Sequence, residues 1–415
     1  MLDVLAIASR NLLRYRRRTL LTLLLIVIGM IAVLLFIAVA GSFKSMMVGQ
    51  FTDSVLGHLQ VHRKGYVASI DNLPLNLNMK PNMVAKVEEA LKANPIVESW
   101  SPRIKFGGMF SNFAETTSIR INGIDPAREA ATVPLLSERL SEGDKAKPLV
   151  ERGKIVIPAL LARGMKTKLG DTVVLVATNR DGSVNGKTFL VSGILEGISG
   201  PGGRDGYVHI EDARELLRMT DAEVSEIAVR LKDFSRLGLA ETQMKQALEG
   251  LANKEDKPLL EIHTWADLSP FASLARMIDL MTLFIKVVLV SIVLVSVMNV
   301  MIMAVFERIR EIGTIAAIGT PPGRILSLFL AEGLMLGIVG TVAGTILSLA
   351  AIFGINVWRP TFAFGQQQNL VMAPTIATGD VLTIAILVVI VAVIASLQPA
   401  WKASRMDPIS ALRHV

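Results

Sequence analysis

The segment of this chain closest to nucleotide chemistry is Gly-Ser-Val-Asn-Gly-Lys-Thr at 182–188. A phosphate-binding loop needs four residues between its glycines, and it opens a helix so that backbone N–H groups face the phosphate. Here three residues separate Gly182 from Gly186, and strand-like runs flank the segment on both sides. We therefore predict a β-hairpin, and no other segment offers a nucleotide site. Because no nucleophile–base set is evident either, we predict no catalytic residues and no enzyme activity in this chain.

A second candidate for chemistry is the pair His58 and His62, which alternates with Leu59 and Val61 as in a β-strand. Two histidines on one strand face could bind a metal ion, but a site needs further ligands and no third ligand is evident. We therefore predict no metal site and interpret this face of the strand as solvated.

The most specific polar segment lies at 306–322, between two apolar runs. Isoleucines at helical spacing line one side of it, and Gly319 and Pro321 are typical of a helix end. The pattern predicts a short amphipathic helix, which could transmit movement of a soluble partner to the flanking apolar runs. An ordinary charged loop is the alternative. The residues that we expect to contact such a partner are Glu307, Arg308, Arg310, Glu311, Ile312, Gly313 and Gly319.

Four apolar runs surround these residues, at Thr19–Ala40, 280–306, 325–355 and 381–400. Each is long enough to cross a bilayer, for which a helix needs ~20 residues, and the chain is 51% hydrophobic with a mean hydropathy of +0.50. About 235 residues separate the first run from the second, far more than a loop contains. The sequence thus predicts an α-helical membrane protein with four transmembrane helices and a large α+β domain between helices one and two.

The net charge of +7 is concentrated at the ends of these runs, which argues against nucleic-acid binding. Basic residues remain on the cytoplasmic side of a membrane, and Arg10, Arg14 and Arg16 to Arg18 precede the first run. We expect cytoplasmic N- and C-termini and an exported large domain, which contains no cysteine and must fold without disulfides. The first run is longer than the apolar part of a cleaved signal peptide, so we interpret it as an uncleaved anchor.

These observations predict nine segments. They are a cytoplasmic amphipathic N-terminal helix at 1–18, transmembrane helix one at 19–41, an exported domain at 42–277 with a β-rich lobe at about 150–215 beside a mixed α/β lobe, transmembrane helix two at 278–306, a cytoplasmic coupling helix at 307–322, transmembrane helix three at 323–355, an outer loop at 356–379, transmembrane helix four at 380–400 and a cytoplasmic tail at 401–415. Within the exported domain we predict helices at Ile155–Met165 and at Trp265–Asp279, the second continuing into transmembrane helix two.

Three further groups of residues are candidates for packing or binding. Gly333, Gly337, Gly340 and Gly344 recur at small-residue spacing, which lets helices approach closely in lipid. Glu332 is costly in hydrocarbon unless it finds a partner, so we expect a structural hydrogen-bonding role near the cytoplasmic edge. An apolar substrate cavity is predicted from Phe36, Phe43, Met277 and Met281, with plain packing as the alternative. A partner-binding loop is predicted from Gly202, Gly203 and Arg204, and a mobile turn between strands is the alternative that the glycines favour.

The charged segment is also where the chain resembles a family. Glu-Arg-x-Arg-Glu-Ile-Gly at 307–313, followed by Ala-x-x-Gly at 316–319, is similar to the signature of MacB/FtsX-type ABC transporter permeases. The order of one span, a large domain and three spans also agrees with this family, as do Glu332-Gly333 and the segment at 399–413. The segments at 57–66 and 169–217 most resemble the lipoprotein-releasing (LolC/LolE-like) permeases.

The resemblance implies a transporter subunit of the bacterial inner membrane. It implies that a cytoplasmic ABC ATPase, which binds ATP and Mg²⁺, engages the helix at 307–319, and that a second permease copy or paralogue completes the membrane core. This chain would itself hold no cofactor. The cargo would be a lipoprotein extracted from the membrane and passed to a periplasmic carrier or adaptor. MacB-like efflux of peptides, drugs or toxins and FtsX-like signalling to a cell-wall hydrolase remain the alternatives.

Overall fold

The structure is a computed structural model that describes residues 7–8, 10–12, 14, 16–196, 205–249, 258–364 and 367–407. It divides into two compact units. The helical unit comprises Met1–Ser45, Leu274–Phe362 and Asn369–Val415, and the sheet unit comprises Met46–Ser273 with Ala363–Gln368.

The helices, in chain order, are α1 (Arg16–Phe51), α2 (Pro81–Ala93), α3 (Pro126–Thr132), α4 (Leu135–Glu138), α5 (Ala159–Gly164), α6 (Ile210–Leu216), α7 (Leu237–Leu248), α8 (Trp265–Leu268), α9 (Ala272–Glu307), α10 (Ile309–Ala317), α11 (Pro322–Trp358) and α12 (Thr378–Ser404). A π-helix at Thr52–Leu56 follows α1 directly.

The strands are β1 (Leu59–Arg63), β2 (Val97–Ser111), β3 (Thr116–Ile124), β4 (Leu140–Gly143), β5 (Lys154–Pro158), β6 (Thr172–Thr178), β7 (Val184–Leu195), β8 (Asp205–His209), β9 (Glu226–Leu231), β10 (Leu260–Thr264), β11 (Thr361–Phe364) and β12 (Gln367–Val371).

Ten strands form the sheet of the sheet unit, in the order β10-β1-β9-β2-β3-β8-β5-β7-β4, and β6 pairs with both β2 and β7. Strands from both predicted lobes therefore belong to one sheet. The sheet contains two parallel pairs, β3/β8 and β5/β7, and the residues of β5 from Ile155 to Ile157 are fully buried. The segment at 182–188 forms the β6/β7 hairpin as predicted, with Gly182 in the left-handed region at its turn.

Among the described residues, four helices have the length and composition of membrane spans: the segment at Thr19–Leu56, which joins α1 to the π-helix, and α9, α11 and α12. Within the helical unit, α11 contacts two neighbours through its glycines. A Cβ added at Gly333 would lie 2.5 Å from Ser396 Oγ of α12, and one at Gly344 would lie 2.6 Å from Met30 Cβ of α1. Likewise Gly337 faces Ala392 and Gly340 faces Ile26, so these positions have no room for a side chain.

Two predicted helices are only partly correct, since α5 lies within the first and α8 and the start of α9 lie within the second. The segment predicted as a helix from Ile155 to Met165 begins as β5, because its β-branched residues fit a buried strand and Pro158 lacks the N–H that a helix interior needs. The predicted continuous helix from Trp265 into the second span is interrupted after α8. Pro270 disfavours helical geometry at Ser269, which is extended (φ −97°, ψ 129°), and α9 begins only at Ala272.

The interpretation of the His58/His62 face as solvated is also wrong. The exposure of His58 is 5% and that of His62 is 0%. Strand β1 lies between β9 and β10, and it is buried on both faces. Among the described residues no group of three or more His, Asp or Glu side chains is arranged to hold a metal ion.

Candidate partner-binding surface

The short helix α10 has defined ends on both sides. Arg308 is non-helical (φ −114°, ψ 18°) and separates α9 from α10, and its carbonyl oxygen accepts a hydrogen bond from the Ile312 N–H (2.9 Å). At the other end, Thr320 N–H donates to the Ile315 carbonyl oxygen (3.2 Å) and Gly319 N–H to that of Ala316 (3.0 Å), with Gly319 at φ +93°. This is a Schellman cap, which needs a left-handed residue at the glycine position. The helix is therefore a short rod that joins two spans.

The predicted contact residues lie on different faces of this rod. Ile312 and Gly313 are buried and attach it to the unit, and Glu307, Arg310, Glu311 and Gly319 are exposed. The apolar residues Ile315 and Ile318 are exposed as well, Ile318 at 80%. The outer face thus presents charges beside apolar side chains, a composition suited to a protein partner.

Arg308 does not belong to that outer face, although the sequence groups it with the other charges. Its exposure is 4%, and its Nη1 donates to Glu332 Oε1 of α11 at 2.7 Å. Asn11 Nδ2 donates to the same oxygen, also at 2.7 Å. Glu332, 1% exposed, therefore has the hydrogen-bonding role predicted for it.

A cavity of about 480 Å³ opens beside these residues. Its floor is mainly apolar, with Arg324 and Glu311 among its polar residues. Glu311 also lies 3.5 Å from Arg14, an exposed pair of the kind that contributes little to stability. The lining residues are Ile7, Asn11, Arg308, Glu311, Ile312, Ile315, Thr320, Arg324, Ile325, Leu328 and Phe329.

The other candidate residues are placed as follows. Phe36 and Phe43 are half-buried on α1, and the Phe43 ring packs near that of Phe362 with a centroid distance of 6.1 Å. Met277 and Met281 are about half exposed on α9. Gly202, Gly203 and Arg204 lie outside the described residues, so the predicted partner loop stays a prediction.

Sequence reasoning missed a second group of buried charges, in the sheet unit. Arg103 of β2 binds Glu129 through Nη2 (2.7 Å) and Nε (3.1 Å), and its Nη1 donates to Glu226 of β9 (3.0 Å). Lys105 Nζ lies 2.9 Å from the other oxygen of Glu226, and His62 Nε2 lies 3.6 Å from that same oxygen. The only sequence signal is a polar side chain inside each strand, which many exposed strands share.

Interactions within this group keep Arg103 and Glu226 ionised despite their burial. Burial alone would raise the pKa of Glu226, but Lys105, His62 and Arg103 outweigh it, so this pKa lies well below its usual range. Burial would lower the pKa of Arg103, and Glu129 and Glu226 raise it instead. The pKa of His62 is lowered, chiefly because its ring is buried. At neutral pH the group therefore holds an ionised Arg103 and an ionised Glu226 next to a neutral His62.

Comparison with known proteins agrees with this architecture. The family model of the MacB-like periplasmic core domain matches residues 19–247, and that of the FtsX-like permease C-terminal region matches residues 283–408. The lipoprotein-releasing system transmembrane protein LolC of Neisseria meningitidis is 23% identical over 94% of this chain and 92% of its own length. The pyoverdine export ATP-binding/permease protein PvdT of Pseudomonas syringae is 27% identical over 99% of this chain and 59% of its own length.

Among solved structures, the periplasmic region of MacB from Actinobacillus actinomycetemcomitans covers 53% of this chain and 92% of its own, with a TM-score of 0.37 and 14% identity. The two family models together account for the sheet unit and for the spans on either side of α10. The chain therefore belongs to the MacB/FtsX family of ABC transporter permeases.

Proposed function

We propose that this chain is the permease subunit of a transporter that extracts lipoproteins from the inner membrane for a periplasmic carrier. A separate cytoplasmic ATPase binds ATP and Mg²⁺ and drives the movement. The observation that carries this proposal is the similarity to LolC, a transmembrane protein of a lipoprotein-releasing system, over nearly the full length of both chains.

The ATPase contacts the outer face of α10. Glu307, Arg310 and Glu311 offer charges there, Ile315 and Ile318 offer apolar contacts, and the capped ends keep the helix rigid under load. A second permease, identical or paralogous, completes the membrane core, as is usual for an assembly built on symmetry.

The membrane orientation follows the distribution of basic residues. Arginines precede the first span, and Arg308, Arg310 and Arg324 lie between the second and third. Since basic residues stay inside, both termini and α10 are cytoplasmic, and the sheet unit is periplasmic. Movement started by the ATPase reaches the sheet unit along α1 and α9, whose bounds extend beyond the helical unit. Phe36, Phe43, Met277 and Met281 form the apolar wall for the acyl chains of the cargo.

A second candidate function is efflux through an adaptor, favoured by the similarity to PvdT over 99% of the chain. The proteins that co-purify with this chain distinguish lipoprotein release from efflux. Purification from native membranes yields an acylated protein and a soluble carrier if lipoprotein release is correct. An adaptor protein without acylated cargo supports efflux instead, and a cell-wall hydrolase supports FtsX-like signalling.

The coupling surface is tested by charge reversal at Glu307 and Glu311. In the complex reconstituted with its ATPase, E307K/E311K abolishes association or cargo-stimulated hydrolysis, whereas the chain still inserts in the membrane. E249K is the matched control, because Glu249 is an exposed acid of the sheet unit. Robust ATP hydrolysis by the purified permease alone, or unchanged coupling in E307K/E311K, contradicts the proposal.

A further inference from the structure

We propose that Arg308, Glu332 and Asn11 form a buried joint that makes α10 and α11 move as one body when the ATPase moves α10. The inference rests on the proposed function and assigns these residues a positioning role rather than contact with the ATPase.

The position of Arg308 in the chain is the first argument. It is the one non-helical residue between α9 and α10, so any change in the angle between these two helices is concentrated at its backbone. An arginine at such a point would normally extend into water, yet this side chain is buried. The hinge residue is thus attached by its side chain to a different helix from the two that it links.

The contact with Glu332 is the second argument. Both side chains are almost fully buried, and the 2.7 Å distance between Arg308 Nη1 and Glu332 Oε1 is that of a strong, charge-assisted hydrogen bond. Separating two such charges in an apolar environment leaves each without compensation, which is far more costly than separating an exposed pair. Displacement of Arg308 from α11 requires that separation, so the pair holds the hinge at the start of α10 against α11.

The surroundings of Glu332 are the third argument. Asn11 attaches the N-terminal segment to the same carboxylate. The next residue, Gly333, lies directly against Ser396 of α12, and further along α11 Gly344 lies against Met30 of α1. Displacement of α11 at the joint therefore acts on α12 and on α1 through close contacts.

The test replaces the pair without leaving a buried charge. R308M/E332L substitutes apolar side chains of similar length, a change that folded proteins often tolerate. We expect this variant to assemble with the ATPase and to hydrolyse ATP, but to release about fivefold less labelled lipoprotein from proteoliposomes per ATP hydrolysed. R308K, which keeps the charge and a donor, should restore part of the ratio. E241L/K245M is the matched control, because Glu241 and Lys245 form a more exposed ion pair within α7 of the sheet unit, 2.6 Å apart.

A second measurement does not depend on the cargo. The chain has no cysteine, so spin labels at T314C on α10 and V339C on α11 are unique. With the joint intact, the distance between the labels has one narrow distribution before and after nucleotide trapping. In R308M/E332L, we expect the distribution to broaden or to shift with nucleotide. Unchanged distances together with an unchanged release ratio would overturn the joint. Failure of the unmodified chain to bind any ATPase would instead overturn the proposed function.

Discussion

The two units of this protein each bury an ionic cluster at the end of a long helix, but the clusters are built differently. In the helical unit, one carboxylate, Glu332, accepts from Arg308 and from Asn11. In the sheet unit, Glu129 and Glu226 surround Arg103, and Lys105 adds a second cation. The Arg103 Nη1 also donates to the Val55 carbonyl oxygen (2.6 Å), which fixes the π-helix that follows α1.

A buried ionic cluster can either fix a helix in place or let several helices move together. The sheet-unit cluster is held from β1, β2, β9 and α3 at once, and Asp53 of the π-helix is bound in addition by Arg230 at 2.6 Å. A helix end held from so many directions stays fixed on the sheet. The helical-unit cluster has fewer contacts, lies beside a cavity and includes a hinge residue, so it can shift as a unit. The cluster of the sheet unit therefore fixes the π-helix, whereas the cluster of the helical unit links helices.

Removal of Arg103 should have the largest effect. R103A leaves Glu129 and Glu226 buried without their main partner, a change that costs about 3–5 kcal/mol in comparable buried pairs. We expect the free energy of unfolding of the full chain in detergent, measured by tryptophan fluorescence, to fall by that amount. Its control is K245A, which removes an exposed pair with Glu241. A loss of unfolding free energy below about 1 kcal/mol in R103A would mean that the cluster does not hold the π-helix on the sheet.

Alanine at Gly333 tests the close contacts beside the other cluster. The new methyl group would lie 2.5 Å from Ser396 Oγ, so α11 and α12 must separate, and overpacking of this kind costs about 1–3 kcal/mol. The thermal midpoint in detergent should therefore fall. G354A on the same helix has open space around the added carbon, and it should raise the midpoint slightly, since alanine favours helix over glycine. Equal shifts in both variants would contradict the packing that we describe.

The comparison also shows what the sequence could predict. Spans, the short helix α10 and the role of Glu332 follow from hydropathy, spacing and the cost of a charge in lipid, all of which are local properties. The partner Asn11 is 321 residues away from Glu332, and nothing local marks it. The burial of His62 was missed because an alternating strand is usually half-exposed, whereas β1 is covered by neighbours on both sides. Which polar residues meet is decided by topology, and their types alone do not reveal it.

The smallest effect on stability is expected for substitution of His62, the neutral histidine of the sheet-unit cluster. Its ring faces Glu226 of β9, Lys105 of β2, His263 of β10 and Tyr66, whose ring stacks on it at a centroid distance of 5.4 Å. Within the described part of the chain, neither ring nitrogen has a hydrogen-bond partner. Replacement by phenylalanine therefore removes the 3.6 Å contact of His62 Nε2 with Glu226 Oε2 but no shorter hydrogen bond, and H62F retains the stacking.

The sign of the pH effect follows from the lowered pKa of His62 in the folded chain. Below its ordinary value of 6.5, the unfolded chain binds a proton that the folded chain does not, so stability falls as the pH decreases; above pH 7 both forms are neutral. Between pH 7 and pH 6 the loss is about 0.7 kcal/mol for one such group. The unfolding free energy of H62F should fall less than that of the unmodified chain over this interval. If H62F and the unmodified chain lose stability equally, His62 takes up its proton in the folded cluster as readily as in the unfolded chain.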